Sequence, residues 1–121
     1  MEIITDKKDL IARAKKFALR IIQLVDALPK TTVGYAIGKQ IVRSGTSIAA
    51  NYRSAQRARS KQEFISKLGI VIEETDETLF WLEIIMESGL IGKKRIESLY
   101  KESEELLSIF CQIRISASRK K

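Results

Sequence analysis

The chain has no histidine, one cysteine and one proline in 121 residues. Without histidine there is no Ser/His/Asp triad and no Cys/His pair, and the Glu-x-x-His element of di-iron helical bundles cannot be built. The single Cys111 cannot close an intramolecular disulfide, which points to a reducing compartment. One cysteine without histidine does not make a zinc site, and with no base beside it Cys111 reads as a buried, inert thiol. Neither the P-loop pattern nor the G-x-G-x-x-G fingerprint occurs. No apolar run exceeds four residues, against the roughly 20 needed to span a bilayer. The N-terminal stretch MEIITDKKDL has no apolar run of signal-peptide length. A cytoplasmic protein with no membrane segment, no metal, no cofactor and no catalytic residues is expected.

What remains is a chain rich in uninterrupted helical pattern. It is 45% hydrophobic and 31% charged, a balance that suits one folded domain over residues 1–121 rather than a disordered segment. Leu10, Ala14, Phe17, Ile21, Leu24 and Leu28 recur in steps of four and three, the face of an amphipathic helix. Asp6 is a candidate N-cap for this helix, and Pro29 ends it because the residue before a proline disfavours the α region. A second helix is predicted to start near Thr32 as N-cap, with Ile37, Ile41, Ile48, Tyr52 and Ala55 as its stripe. Ser60-Lys61-Gln62-Glu63 is a capping box that opens a third helix. That helix carries Phe64, Leu68, Val71, Thr75, Leu79, Leu82 and Met86, and it stops at Gly89. Ile96, Leu99, Tyr100, Leu106, Leu107, Phe110 and Ile113 mark a fourth helix. The spacing thus predicts helices over about 6–28, 33–58, 61–88 and 93–117, with a basic tail at 118–121. Short connections make consecutive helices antiparallel neighbours, so the fold class is all-α: an up-and-down antiparallel four-helix bundle.

Charge is uneven. The net charge is +7; residues 1–67 carry 14 Lys/Arg against 5 Asp/Glu, and residues 68–121 carry 8 against 10. On the second helix Lys39, Arg43, Arg53 and Arg57 lie opposite the apolar stripe, with Lys61 on the same line beyond its end, and Arg59 adds a further cation in the predicted connection. Cations at helical spacing are the pattern that meets the phosphate backbone of a nucleic acid, and they also make an ordinary solvated or salt-bridged face. No aromatic residues interleave them, which speaks against a single-strand stacking platform. Burial of Arg53 or Arg57 against Glu73 or Glu77 is the competing outcome. Glu73, Glu74, Asp76 and Glu77 read as a solvated acidic face or as partners for cations, with a Mg²⁺ site as the sharper alternative.

Two further features concern packing. Ser44, Gly45, Thr46, Ser47, Ala49 and Ala50 place small residues inside the second helix. This predicts close helix approach, with Asn51 either satisfied locally or fixing register against another helix or subunit. Near its end the third helix is apolar nearly all round, and Trp81, Ile84 and Ile85 are predicted to point away from the core toward a second copy of the chain.

The run SGTSIAANYRSAQRARSKQEFISKLGIVIEETDETLFWLEII resembles the bacterial large-subunit ribosomal RNA intervening-sequence proteins, a group to which the accessory protein of diversity-generating retroelements also belongs. The matching elements are the small-residue run ending in Asn51-Tyr52-Arg53, then Arg57-Ala58, Ser60-Lys61, Phe64-Ile65, Glu77-Thr78 and Trp81-Leu82-Glu83. The position after Arg53 departs from that pattern: Ser54 stands where a glutamate is usual, which makes the surface there more basic. The resemblance implies a bundle that assembles into a homopentameric ring, without established enzymatic activity and with RNA or DNA as the favoured partner. Two other functions stay open on the residues: an adaptor that docks a protein partner such as a reverse transcriptase, and a metal-dependent enzyme using the acidic cluster.

Overall fold

A computed structural model describes residues 7–119. It contains four helices: α1 (Lys7–Ala27), α2 (Thr32–Ala55), α3 (Lys61–Ser88) and α4 (Lys93–Arg119). The expected cap at Asp6 lies outside the described residues. Among the described residues there is no strand, and no helix is long and apolar enough to cross a membrane. The bundle class and its antiparallel path are as the periodicity predicts.

The helix ends show which local signals acted. Thr31, rather than Thr32, caps α2: its hydroxyl accepts from the Gly34 N–H at 3.1 Å, satisfying one of the orphan donors of the first turn. Of the capping box before α3 the Ser60 half forms as expected, and the Glu63 half reaches one residue further back, to the residue before the cap. Ser60 Oγ accepts from the Glu63 N–H at 3.0 Å, and Glu63 Oε1 accepts from the Arg59 N–H at 2.6 Å. Gly89 ends α3 at φ 73°, the left-handed region where a side chain would be strained. α2 stops at Ala55, three residues short of the expected end, because Arg57 and Ala58 turn their N–H groups back to Ser54 and Ala55. α4 instead runs on through Ser118 and Arg119, the first half of the expected tail.

One apolar cluster draws on all four helices, and its fully buried members include Phe17, Ile41, Ile48, Leu68, Leu82, Ile96, Leu106 and Phe110. The Tyr52 and Phe110 rings tilt together at 5.3 Å. Phe64, Met86, Tyr100 and Ile113 are only half-buried, packed against the outside of this cluster, and Cys111 is half-buried as well. Truncating a fully buried leucine such as Leu82 costs about 2–5 kcal/mol in cores of this kind.

The small-residue run in α2 works on two sides. Toward α1, Gly45 lets the backbone close on Ile21: a Cβ at Gly45 would sit 3.0 Å from two Ile21 carbons. Toward α3, fully buried Ser44 shares a 2.8 Å hydrogen bond with the equally buried Thr78 hydroxyl, whose oxygen is also 2.8 Å from the Glu74 carbonyl oxygen. This pair, not Asn51, couples the two helices through polar atoms. Asn51 donates from Nδ2 to the Ser47 carbonyl at 2.9 Å and to Ser47 Oγ at 2.7 Å, so it is satisfied within its own helix.

The other seams are tied at their edges. Arg13 grips Glu102 with two bonds of 2.7 and 2.9 Å and also reaches Glu105. These carboxylates hold the guanidinium charged well above its ordinary range, against a smaller opposing cost of burial. Tyr100 donates to Glu83 at 3.0 Å across α3 and α4, a bond that keeps the phenol protonated and raises its pKa.

Candidate nucleic-acid interface

The six cations expected to meet phosphate occupy three settings. Lys39, Arg43 and Arg53 stand on α2, Arg57 and Arg59 in the α2–α3 turn, and Lys61 at the first position of α3. All six are exposed, so the face opposite the Ile37–Ile41–Ile48–Tyr52 stripe is open to solvent. The turn that carries Arg57 and Arg59 is held by the backbone bonds and capping box described above. Glu63, the acidic residue of this stretch, spends one oxygen on the Arg59 N–H.

Arg43 differs from the rest. Its Nη1 lies 3.2 Å from Glu74 Oε1, and its Nη2 bonds Glu77. Glu77 also accepts from the Trp81 indole N–H at 3.2 Å. Sequence reasoning assigned the competing ion pair to Arg53 or Arg57 against Glu73 or Glu77. The register of α2 on α3, set by Ser44 against Thr78, brings Arg43 to those carboxylates instead. The same contacts take apart the acidic cluster. Glu74 and Glu77 turn to Arg43, whereas Glu73 and Asp76 are exposed. Among the described residues no three or more His, Cys, Asp or Glu side chains stand together as metal donors.

Three cations outside the six expected contacts join this region, Arg119 among them from the expected basic tail. Lys67 donates from Nζ to Ser54 Oγ at 2.9 Å. Arg114, exposed on the last turns of α4, passes over Gly69 of α3, with its Nη1 3.9 Å from where a Cβ would stand. Arg119 lies five residues further along, also exposed. Lys67 was legible as a neighbour of Ser54 only once α2 and α3 were placed in register. Arg114 and Arg119 needed the antiparallel path of α4.

The residues expected to face a second copy behave differently from one another. Ile85 is fully buried within the single chain, which corrects its expected outward direction. A helix apolar on most sides offers no clean stripe, and the bundle took the face that includes Ile85 and Leu82. Trp81 and Ile84 are half-buried, packed against the core from its rim. Phe80, beside Trp81 with ring centroids 4.9 Å apart, is 49% exposed.

No curated protein matches the chain. A crystal structure of a protein of unknown function from the S23 ribosomal protein family, from Bacteroides thetaiotaomicron, is similar at 36% identity with a TM-score of 0.82, over 87% of this chain and 97% of that one. The model of the 23S rRNA-intervening sequence protein family matches residues 6–112. That span holds all four helices up to the last turns of α4 and the whole α2–α3 seam. The chain belongs to the 23S rRNA-intervening sequence protein family.

Proposed function

We propose that this protein is a non-enzymatic, homo-oligomeric helical bundle that binds RNA or DNA through basic surface, with little sequence preference. One observation carries the reading. Lys39, Arg53, Arg57, Arg59 and Lys61 are exposed, and none has a carboxylate ion-pair partner among the described residues. Cations left free on a rigid scaffold neutralise phosphates and release counterions without reading bases. The family name links its members to an intervening sequence of 23S rRNA, which makes RNA the first ligand to try. Leu19, Ile22, Phe80 and Ile115 are each about half exposed, and assembly that covered them would take that apolar surface out of water. In a pentamer, five copies of a +7 chain carry +35, and repeated weak patches gain avidity.

The test is fluorescence anisotropy with labelled RNA and DNA across a salt series, beside light scattering of the free protein. Expected are salt-steep binding of several unrelated sequences and a mass several times 13.7 kDa. Absence of binding at low salt overturns the nucleic-acid role, and a monomer at micromolar concentration overturns the assembly.

A further inference from the structure

Positive charge is gathered at one end of the bundle. The antiparallel path brings the last turn of α2, the α2–α3 turn and the first turns of α3 to the same end as the last turns of α4. Residues 53–70 and 111–119 carry seven Lys or Arg and a single acid, Glu63, which is engaged by the capping box. Asp9, in the first turn of α1, adds a second carboxylate at this end. Arg53, Arg57, Arg59, Lys61, Arg114 and Arg119 are exposed here, with no ion pair among the described residues. At the other end the signs alternate: Lys30, Lys39, Lys93, Lys94 and Arg95 are interspersed with Asp26, Glu83, Glu87 and Glu97.

The aromatic residues tell which kind of polyanion suits the basic end. The exposed ones, Tyr35 and Phe80, stand at the start of α2 and in the second half of α3, away from it. Tyr52 and Phe110 are buried against each other, and Phe64 is packed against the core. Apart from the half-buried Phe64, an unstacked base would find no ring to lie on, whereas phosphates on the outside of a double helix would meet guanidinium and ammonium groups held on helix ends.

We infer that this end, where the α2–α3 turn meets the last turns of α4, seats the phosphate backbone of a nucleic-acid duplex. The inference rests on the nucleic-acid reading above and relocates its surface. Arg114 and Arg119 enter, and Lys39 and the carboxylate-bound Arg43 leave. Ser54 sits within the patch with its hydroxyl on Lys67, so a carboxylate at that position would neutralise part of it.

The experiment uses the full chain with a short RNA duplex, a DNA duplex and a single strand, each fluorescein-labelled, at about 50 to 200 mM salt. Arg57→Gln/Arg114→Gln is compared with Lys39→Gln/Arg43→Gln, and thermal melts and light scattering confirm that each variant folds and assembles as the parent does. Each phosphate contact adds about −0.9 to the slope of log affinity against log salt, so loss of two should make that fourfold salt rise weaken duplex binding about twelvefold less than in the parent. The Lys39/Arg43 pair should bind as the parent does. Ser54→Glu should weaken binding in the same direction as the Arg57/Arg114 pair, and Arg57→Lys/Arg114→Lys, which keeps the charge, should restore most of it. Equal or greater loss from the Lys39/Arg43 pair overturns the location, and a single strand bound as tightly as the duplexes overturns the duplex; either result leaves nucleic-acid binding standing. A parent chain that binds none of the three probes overturns both.

Discussion

The α2–α3 and α1–α4 seams use the same ion-pair chemistry, an arginine between two glutamates of an antiparallel neighbour, in opposite circumstances. Between α2 and α3 the helices pack closely along their length, the buried Ser44–Thr78 pair sits inside, and Arg43 lies over the outside with half its side chain exposed. Between α1 and α4 the backbones come close over a much shorter stretch. There Arg13 and Glu102 are each about a fifth to a quarter exposed. Where small residues let helices meet, the ion pair is an addition to a seam already made. Where they do not, the ion pair spans the gap, and removing one partner leaves a carboxylate that is partly cut off from water.

The comparison can be broken most severely from the close seam. Ser44→Leu puts a large side chain where a fully buried hydroxyl now sits and should cost about 1–3 kcal/mol by overpacking, read as a drop in the denaturant midpoint. Arg13→Ala should cost about 1 kcal/mol, at the upper end for partly exposed pairs. Its hydrogen-exchange signature should be confined to α1 and α4, and a loss of protection spread evenly over all four helices would contradict the seam argument. Ser103, fully buried on α4, has a hydroxyl without a partner among the described residues. Ser103→Ala should therefore leave stability unchanged or raise it by up to about 1 kcal/mol, whereas Ser44→Ala should lower it by about that much. A Ser103→Ala chain that melts well below the parent would refute this contrast. The smallest effect is expected of Arg43→Ala, about 0.5 kcal/mol, because the arginine is half exposed and the seam stands without it, so that only the partly buried Glu74 loses a partner.

How far the sequence could be read differs from element to element for physical reasons. Local signals carried the helices. The steps of three and four, Pro29, the Ser60–Glu63 capping box and Gly89 act within a few residues, and each appears where the pattern put it. The early end of α2 was harder, since nothing in Gln56-Arg57-Ala58 forbids helix and the turn is decided by how α3 must start. Ile85 was misplaced because the second half of α3 is apolar on several sides, so a wheel alone does not say which side the other helices take. The partner of Arg43 lies more than 30 residues away in sequence, and only the register of two packed helices selects Glu74 and Glu77. The charge at the α2–α3 end is likewise invisible along the chain: residues 53–70 and 111–119 meet only because α4 runs antiparallel to α3.

Glu77 accepts both the Arg43 guanidinium and the Trp81 indole N–H, and Trp81 is the single tryptophan of the chain. Its intrinsic emission therefore reports from one known place. An anion that draws Arg43 away from Glu77 changes the electric field at the indole and frees its hydrogen-bond acceptor, so the emission maximum should move without any label. Arg43→Ala should produce that spectral change by itself. A ligand seated at the α2–α3 end should leave the tryptophan spectrum untouched, so the protein's own fluorescence separates the two faces before any variant is made.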